Sequence, residues 1–426
     1  MIPADIIANK RNGQELNKND LSKFIKAYLS NNITDAQMAA LLMAIYFNGM
    51  TDQELLTLVK EMINSGKSIN FDKSKNYIAD KHSTGGIGDK TSIILAPVLA
   101  AAGLKIPMIA GRGLEYTGGT IDKLEAIPDI NISPPINVFK KWVNKIGCAI
   151  ISQSPEICPA DNKIYTLRNE TATVPSIPII CSSIMSKKIA EGISGLVMDI
   201  KVGNGAFMKT KEQALSLSKL MKKIAIYFDL KIDIVFSNMD QPLGRYAGLG
   251  CEVKEAIECL KGNGPDDLMR ITSELSSYLL IQSGKAENKK QALSIFYNII
   301  KSGEGMIFFE NMVQAQNGNL NQFKNHVKHQ YEKSIFCNKD GVINYMDTEK
   351  IGWSLVELGC GYKNSFDILD YTAGIEFLAK NGDKVIKGQP IYRVFNSDLN
   401  KLNNGTRILK NTFRIGENYS KTKLFV

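Results

Sequence analysis

Between an apolar "YIA" and an apolar "IILAPVLAAAGL", the chain places Asp80-Lys81-His82-Ser83-Thr84-Gly85-Gly86-Ile87-Gly88-Asp89-Lys90. A stretch of this composition either simply turns the chain or holds an anion. Glycines let successive backbone N–H groups converge, because no Cβ blocks the approach. The following helix, predicted to begin near Thr91, would add the positive end of its dipole. Lys81 would supply a full charge, and Ser83 and Ser92 hydroxyl donors. The spacing matches neither a Walker loop nor GxGxxG.

A second glycine-rich stretch, "AGRGLEYTGGTIDKLEAIP" (110–128), follows another apolar run, "KIPMI". Two such loops after neighbouring strands would meet at the carboxyl edge of a sheet, where α/β folds bind ligands. Thr120 would donate to the same anion. Asp122 and Glu125 read as structural, capping a helix or pairing with Lys123 or Arg112. A third stretch, "YTLRNETATVPSIPIICSSIMSKKIAEG" (165–192), carries Arg168, Ser183 and Lys187. Ser183 and Lys187 stand four apart in a predicted helix, so they share a face. Such a face is either solvated or set to meet the carbonyl oxygens of a flat heterocycle.

The elements that must position these residues follow from periodicity. Residues 1–65 read as helices, and "TDAQ" and "TDQE" at Thr34 and Thr51 have capping-box spacing. Beyond them, β-type runs ("NYIAD", "KIPMIA", "CAIIS", "GLVMDIKV", "KIDIVFS") alternate with helical stretches such as 92–103 and 211–227. That alternation predicts an α/β layer. Residues 264–302 are helix-forming. The stretch "DILDYTAGIEFLAKNGDKVIKGQPIYRVF" is β-rich, with "NGDKVIKGQ" expected as one tight turn.

At 426 residues and 44% hydrophobic content, the chain can bury a large core. The formal charge of +9 is spread out, with no basic stretch interleaved with aromatics, so nucleic-acid binding is not expected. A small anionic substrate suits the charge equally well. The seven cysteines form no CxxC pair, which argues for reduced thiols in a cytoplasmic protein rather than disulfides or zinc. No secretory signal is visible, and no run of about 18 apolar residues is present, so no membrane association is expected.

These segments resemble the thymidine and pyrimidine-nucleoside phosphorylase family. The resemblance rests on "KHSTGGIGDK", "GRGLEYTGGTIDKLEAIP", "VMDIKVGNGAFM" (197–208), "NMDQPLG" (238–244) and "GDKVIKGQP" (382–390), in order and nearly end to end. It implies a small all-helical domain (1–65 and 163–193), a large α/β domain (66–162 and 194–334) and a β-rich C-terminal domain (335–426). It implies reversible phosphorolysis: thymidine or uridine plus phosphate gives free base and a (2-deoxy)ribose 1-phosphate. Lys81, Ser83, Ser92, position 110 and Thr120 match the phosphate-binding positions. Arg168, Ser183 and Lys187 match those that bind the pyrimidine, and His82, Arg168 and Lys187 the catalytic ones. No organic cofactor is implied. A homodimer through the helical domain is, with closure of a cleft bringing phosphate and base together.

Two departures stand out. The phosphate position before "GRG" is Ala110, where the family has Ser. Glu115-Tyr116 stands where Gly-His is usual. The resemblance further implies a potassium ion beside the phosphate loop, at positions matching Gly88, Lys90, Leu243, Tyr246 and Glu255. Position 90 would need an oxygen ligand and is a lysine, so no metal is expected; either the Lys90 ammonium occupies or blocks the site and pairs with Glu255, or Lys90 points into solvent and the site is simply absent. An anthranilate-type phosphoribosyltransferase would share the overall plan. It would want acidic magnesium ligands near the loop, and the 165–192 segment argues against it. The intact Lys81, His82, Ser83, Arg168 and Lys187 argue against a silent scaffold.

Overall fold

Thr34 and Thr51 each cap a helix as their spacing predicts. Thr34 Oγ1 accepts from Gln37 N at 3.3 Å, while Gln37 Oε1 accepts from Thr34 N at 3.0 Å. Thr51 and Glu54 repeat the exchange at 3.3 and 2.7 Å. The helices so started run Asp35–Asn48 and Asp52–Asn64. Glu54 also accepts from Lys10 Nζ at 2.8 Å and from Leu16 N at 2.7 Å. Both charges are buried, which is tolerable because each is paired and hydrogen-bonded.

The computed structural model describes residues 2–113, 115, 116, 118–364, 367–420 and 422–426. The chain divides into two units. The smaller comprises Met1–Ile78, Gln153–Leu196 and Glu212–Ile232. In its core Phe24, Leu41, Leu42 and Leu58 meet Ile164 and Ile179. The helices Pro159–Glu170 and Ile177–Ala190 thus share one apolar interior with the N-terminal helices Lys18–Leu29, Asp35–Asn48 and Asp52–Asn64.

The larger unit comprises Ala79–Ser152, Val197–Lys211 and Asp233–Val426. The five apolar runs form strands Ala79–Ser83, Ile106–Ala110, Cys148–Ser152, Gly195–Val202 and Lys231–Asn238. Ala79–Ser83, Gly195–Val202 and Lys231–Asn238 lie side by side in that order, and Ile106–Ala110 pairs in parallel with Cys148–Ser152. Ala79 N donates to Lys105 O at 2.9 Å and links the first strand to the second group. The first strand begins later than "NYIAD" suggests and takes in Lys81, His82 and Ser83. A buried lysine is acceptable there because Ser92 and Asp89 receive it. The helix Thr91–Ala101, buried almost all round, follows the glycine loop.

The C-terminal part is β-rich, as expected. Strand Pro390–Asn396 lies between Gly374–Phe377 and Tyr331–Phe336, antiparallel to both. A short strand from the middle of the chain, Tyr246–Gly248, extends this sheet by pairing Tyr246 with Glu376 and Gly248 with Gly374. "NGDKVIKGQ" is two turns, not one. Gly382 and Gly388 each take positive φ, on either side of the two-residue strand Lys384–Val385, which pairs with Gly341–Met346.

Candidate active site

In the larger unit, the glycine loop is fixed by hydrogen bonds to its neighbours. Thr84 N donates to Asp199 O at 3.1 Å, and Lys201 N donates to Thr84 Oγ1 at 2.9 Å. Gly88 takes φ +78°, and a Cβ there would lie 2.3 Å from Leu243 O, so only glycine fits.

Lys81 is buried, and its Nζ donates to Ser92 Oγ at 3.3 Å. Asp89 Oδ1 lies 3.7 Å from the same ammonium, and Asp89 accepts from Thr91 Oγ1 at 2.6 Å and Thr91 N at 3.3 Å. Lys123 Nζ donates to Asp89 O at 2.8 Å. Lys201 pairs with Asp199 at 2.5 Å. Burial alone would raise the Asp89 carboxyl, but Lys81, Lys201 and Lys123 hold it well below the usual carboxylate range. Burial pulls Lys81 below an ordinary lysine, though Asp89 and Asp199 oppose this. Ser83 is half-buried, and its Oγ accepts from Gly85 N at 3.1 Å. His82 is half-buried and, by strand alternation, points away from the face that Lys81 and Ser83 share.

Ala110 ends its strand half-buried, and Thr120 opens the helix Thr120–Leu124. Ile121 N donates to Gly111 O at 3.4 Å, which folds the start of that helix back on the end of the strand. Arg112 clamps Asp122 at 3.0 Å and Glu125 at 2.7 and 2.8 Å, and Asp122 also accepts from Gly113 N at 2.6 Å. Both carboxylates are structural, as expected, and their partner is Arg112 rather than Lys123. Tyr116 is buried against Phe207 and Trp353. Leu114 and Thr117 of this motif lie outside the described residues.

The smaller unit gathers Arg168, Ser183 and Lys187. Ser183 and Lys187 share a face of Ile177–Ala190, and Lys187 Nζ donates to Ser183 Oγ at 3.2 Å. Both also donate to Asp161, a buried carboxylate in the first turn of Pro159–Glu170. Sequence reasoning missed Asp161. The available signal was its spacing of seven from Arg168, two turns along one helix face. Arg168 is 1% exposed, and its Nη2 donates to Val174 O at 2.5 Å. Its Nε and Nη1 have no protein hydrogen-bond partner among the described residues. The guanidinium carbon lies 5.5 Å from the Tyr165 ring centroid, and Lys187 Nζ lies 6.0 Å from it. Burial lowers the Arg168 pKa while Asp161 and Tyr165 oppose the shift, and a guanidinium stays charged regardless. The cluster is a cationic, aromatic-edged patch with spare N–H donors, suited to oxygen acceptors on a planar ring. Among the described residues, no group of three or more His, Cys, Asp or Glu is placed to hold a metal ion.

Family models place the chain in a glycosyl-transferase class. A glycosyl transferase a/b-domain family model matches residues 75–306, and a glycosyl transferase helical-bundle model matches 4–66. A solved anthranilate phosphoribosyltransferase from Thermus thermophilus shares the fold at TM-score 0.59 and 16% identity, covering 74% of this chain and 100% of its own. A third family model, the pyrimidine nucleoside phosphorylase C-terminal domain, matches residues 342–416. The pyrimidine-nucleoside phosphorylase of Bacillus subtilis (strain 168) is 40% identical over 394 residues, 92% of this chain and 91% of that one. A Staphylococcus aureus pyrimidine-nucleoside phosphorylase is 40% identical over 393 residues, 92% of this chain and 91% of its own. The chain belongs to the pyrimidine-nucleoside phosphorylase family.

Proposed function

We propose that the chain catalyses reversible phosphorolysis of pyrimidine nucleosides. Thymidine or uridine plus inorganic phosphate gives the free base and 2-deoxyribose or ribose 1-phosphate, in salvage or catabolism. The observation that carries this reading is the buried Arg168 guanidinium with two donors lacking a protein acceptor, beside the Asp161–Ser183–Lys187 set. Phosphate is assigned to Lys81, Ser83, Ser92, the position of Ala110, and Thr120. The base is assigned to Arg168, Ser183 and Lys187.

The chemistry needs no enzyme nucleophile. A phosphate oxygen forms a bond to C1′ as the C1′–N1 bond breaks, through an oxocarbenium-like transition state. The bonding pair leaves on N1 and spreads into the ring carbonyls. Arg168 and Lys187 would stabilise that charge, Asp161 would orient Lys187, and His82 would supply a hydrogen bond or proton.

A homodimer through the helical unit suits the helix Asp35–Asn48, which exposes Met43, Tyr46 and Phe47. Among the described residues, no helix is long and apolar enough to cross a membrane. A cytoplasmic location is proposed from the seven reduced, buried thiols. The test is incubation of thymidine or uridine with and without phosphate, followed by chromatography for free base. Base release that requires phosphate supports the reading. Release absent in both arms, or magnesium-dependent consumption of a phosphoribosyl diphosphate instead, overturns it.

A further inference from the structure

Lys90 precedes the helix Thr91–Ala101, and its side chain is fully buried. Its ammonium donates to Tyr246 O at 2.7 Å, to Leu243 O at 3.3 Å and to the Glu255 carboxylate. An ammonium has three donors, and here each has an acceptor. The Glu255 carboxylate is completed by Arg245 N at 2.7 Å and Tyr246 N at 3.2 Å. A second carboxylate, Glu252, lies 4.0 Å away and is itself paired with Lys123 at 2.7 Å. Gly88 presses on the same carbonyls: a Cβ there would lie 2.3 Å from Leu243 O and 3.2 Å from Tyr246 O. Gly244 leaves room on the other side, since its Cβ would lie 3.1 Å from Lys90 Nζ. Burial opposes the charge on Lys90, but Glu255 and Glu252 outweigh it and raise the pKa.

Three of the positions that the family resemblance implies for potassium, Leu243, Tyr246 and Glu255, therefore meet a nitrogen. The residues present do not fit the metal ion. Any ion using Leu243 O, Tyr246 O and Glu255 would compete with a buried ammonium of the same charge for the same oxygens.

We propose that Lys90 is a tethered monovalent cation, which replaces a metal ion and makes the phosphate-side loop independent of potassium. Lys90 is flanked by Asp89, which meets Lys81, and by the helix that carries Ser92. Its bonds to Leu243 and Tyr246 hold the start of that helix against the segment before Gly250–Leu260, and its bond to Glu255 holds it against that helix itself. It is a positioning residue. A dissociable ion would make the geometry of the loop depend on salt composition, whereas a covalently attached one does not.

The test compares melting temperature and phosphate KM in NaCl, KCl and choline chloride at equal ionic strength. For the wild-type chain, both are expected to be the same in all three salts. Lys90→Thr is expected to melt lower in NaCl and choline chloride and to regain part of the loss in KCl. Its phosphate KM should rise by about 10-fold or more in NaCl, with a smaller change in kcat, and fall back in KCl. Only the KM arm rests on the phosphorylase reading; the melting arm tests the cation exchange whatever the reaction. A wild-type chain stabilised or activated by potassium over sodium overturns the proposal, and this arm needs no variant to fold. A Lys90→Thr chain that matches wild type in all salts overturns it as well.

Discussion

Replacing Arg168 by methionine should separate what a buried cation costs the fold from what it contributes to the reaction. Two guanidinium N–H groups, Nε and Nη1, are buried without a protein acceptor. Each unsatisfied buried donor costs ~1–3 kcal/mol, so the pair costs ~2–6 kcal/mol. Methionine removes both and fills much of the volume with an adaptable apolar chain. Against this, the substitution loses the 2.5 Å bond from Nη2 to Val174 O. It also loses the contact with the Tyr165 ring, 5.5 Å away. Those losses come to ~2–4 kcal/mol together. The balance runs from about −2 to about +4 kcal/mol and centres on about +1, so the unliganded variant should be about as stable as wild type, with the gain slightly outweighing the loss. Catalysis should move the other way. Two charge-assisted contacts to the departing base, at ~1.5–3 kcal/mol each, amount to a fall of about 10²- to 10⁴-fold in kcat/KM. Thermal melts without ligand give the first quantity, and steady-state release of thymine gives the second. A variant that is destabilised yet keeps nearly wild-type kcat/KM would refute the reasoning, because Arg168 would then be a structural cation.

Asp161→Asn should lower kcat/KM for the nucleoside by about 10- to 100-fold while leaving the phosphate KM unchanged, because Ser183 and Lys187 lose their shared anchor. Its stability, read by urea unfolding, should fall by less than the ~3–5 kcal/mol of a wholly buried pair, since the Lys187 side chain remains 16% exposed. Ala110→Ser should lower the phosphate KM several-fold, the equivalent of about 1 kcal/mol; an unchanged KM would show that another donor already fills that place. Phosphate kcat/KM should fall as pH rises through the Lys81 pKa, which burial sets below the ordinary lysine value of 10.5. Between the folded and unfolded pKa values the unfolded chain binds more protons at this site, so stability should rise with pH across that window. Lys81→Met should abolish both trends; persistence of either would assign it to another group.

Much of the local architecture is legible in the sequence because it is set by neighbours along the chain. The Thr34 and Thr51 caps need only the residue three positions on, and Ser183 and Lys187 need only helical spacing. The five apolar runs became strands for the same reason. What was missed depends on partners far away. Lys81 reads as a loop residue until Asp89 and Ser92 are seen to receive it inside a strand. Asp161 reads as an ordinary first-turn acid until Ser183 and Lys187 arrive from another helix. Tyr246–Gly248 carries almost no periodic signal in three residues, and only the strand Gly374–Phe377 makes it part of a sheet. Lys90 and the four positions grouped with it came from the resemblance to relatives, and nothing in local propensity pointed to them.

That three-residue strand bears on how freely the parts of this chain can be exchanged. Family models divide the sequence into separable blocks, with the last beginning at residue 342. Yet Tyr246 hydrogen-bonds through its hydroxyl to Glu376 at 2.8 Å, while its backbone oxygen receives Lys90 at 2.7 Å. A chimera that borrowed its last block from a relative would also be choosing the edge that aligns Tyr246. Exchange would be safest with donors that keep the register of Gly374–Phe377, and truncation before that strand would leave the seat of the internal cation without its backing.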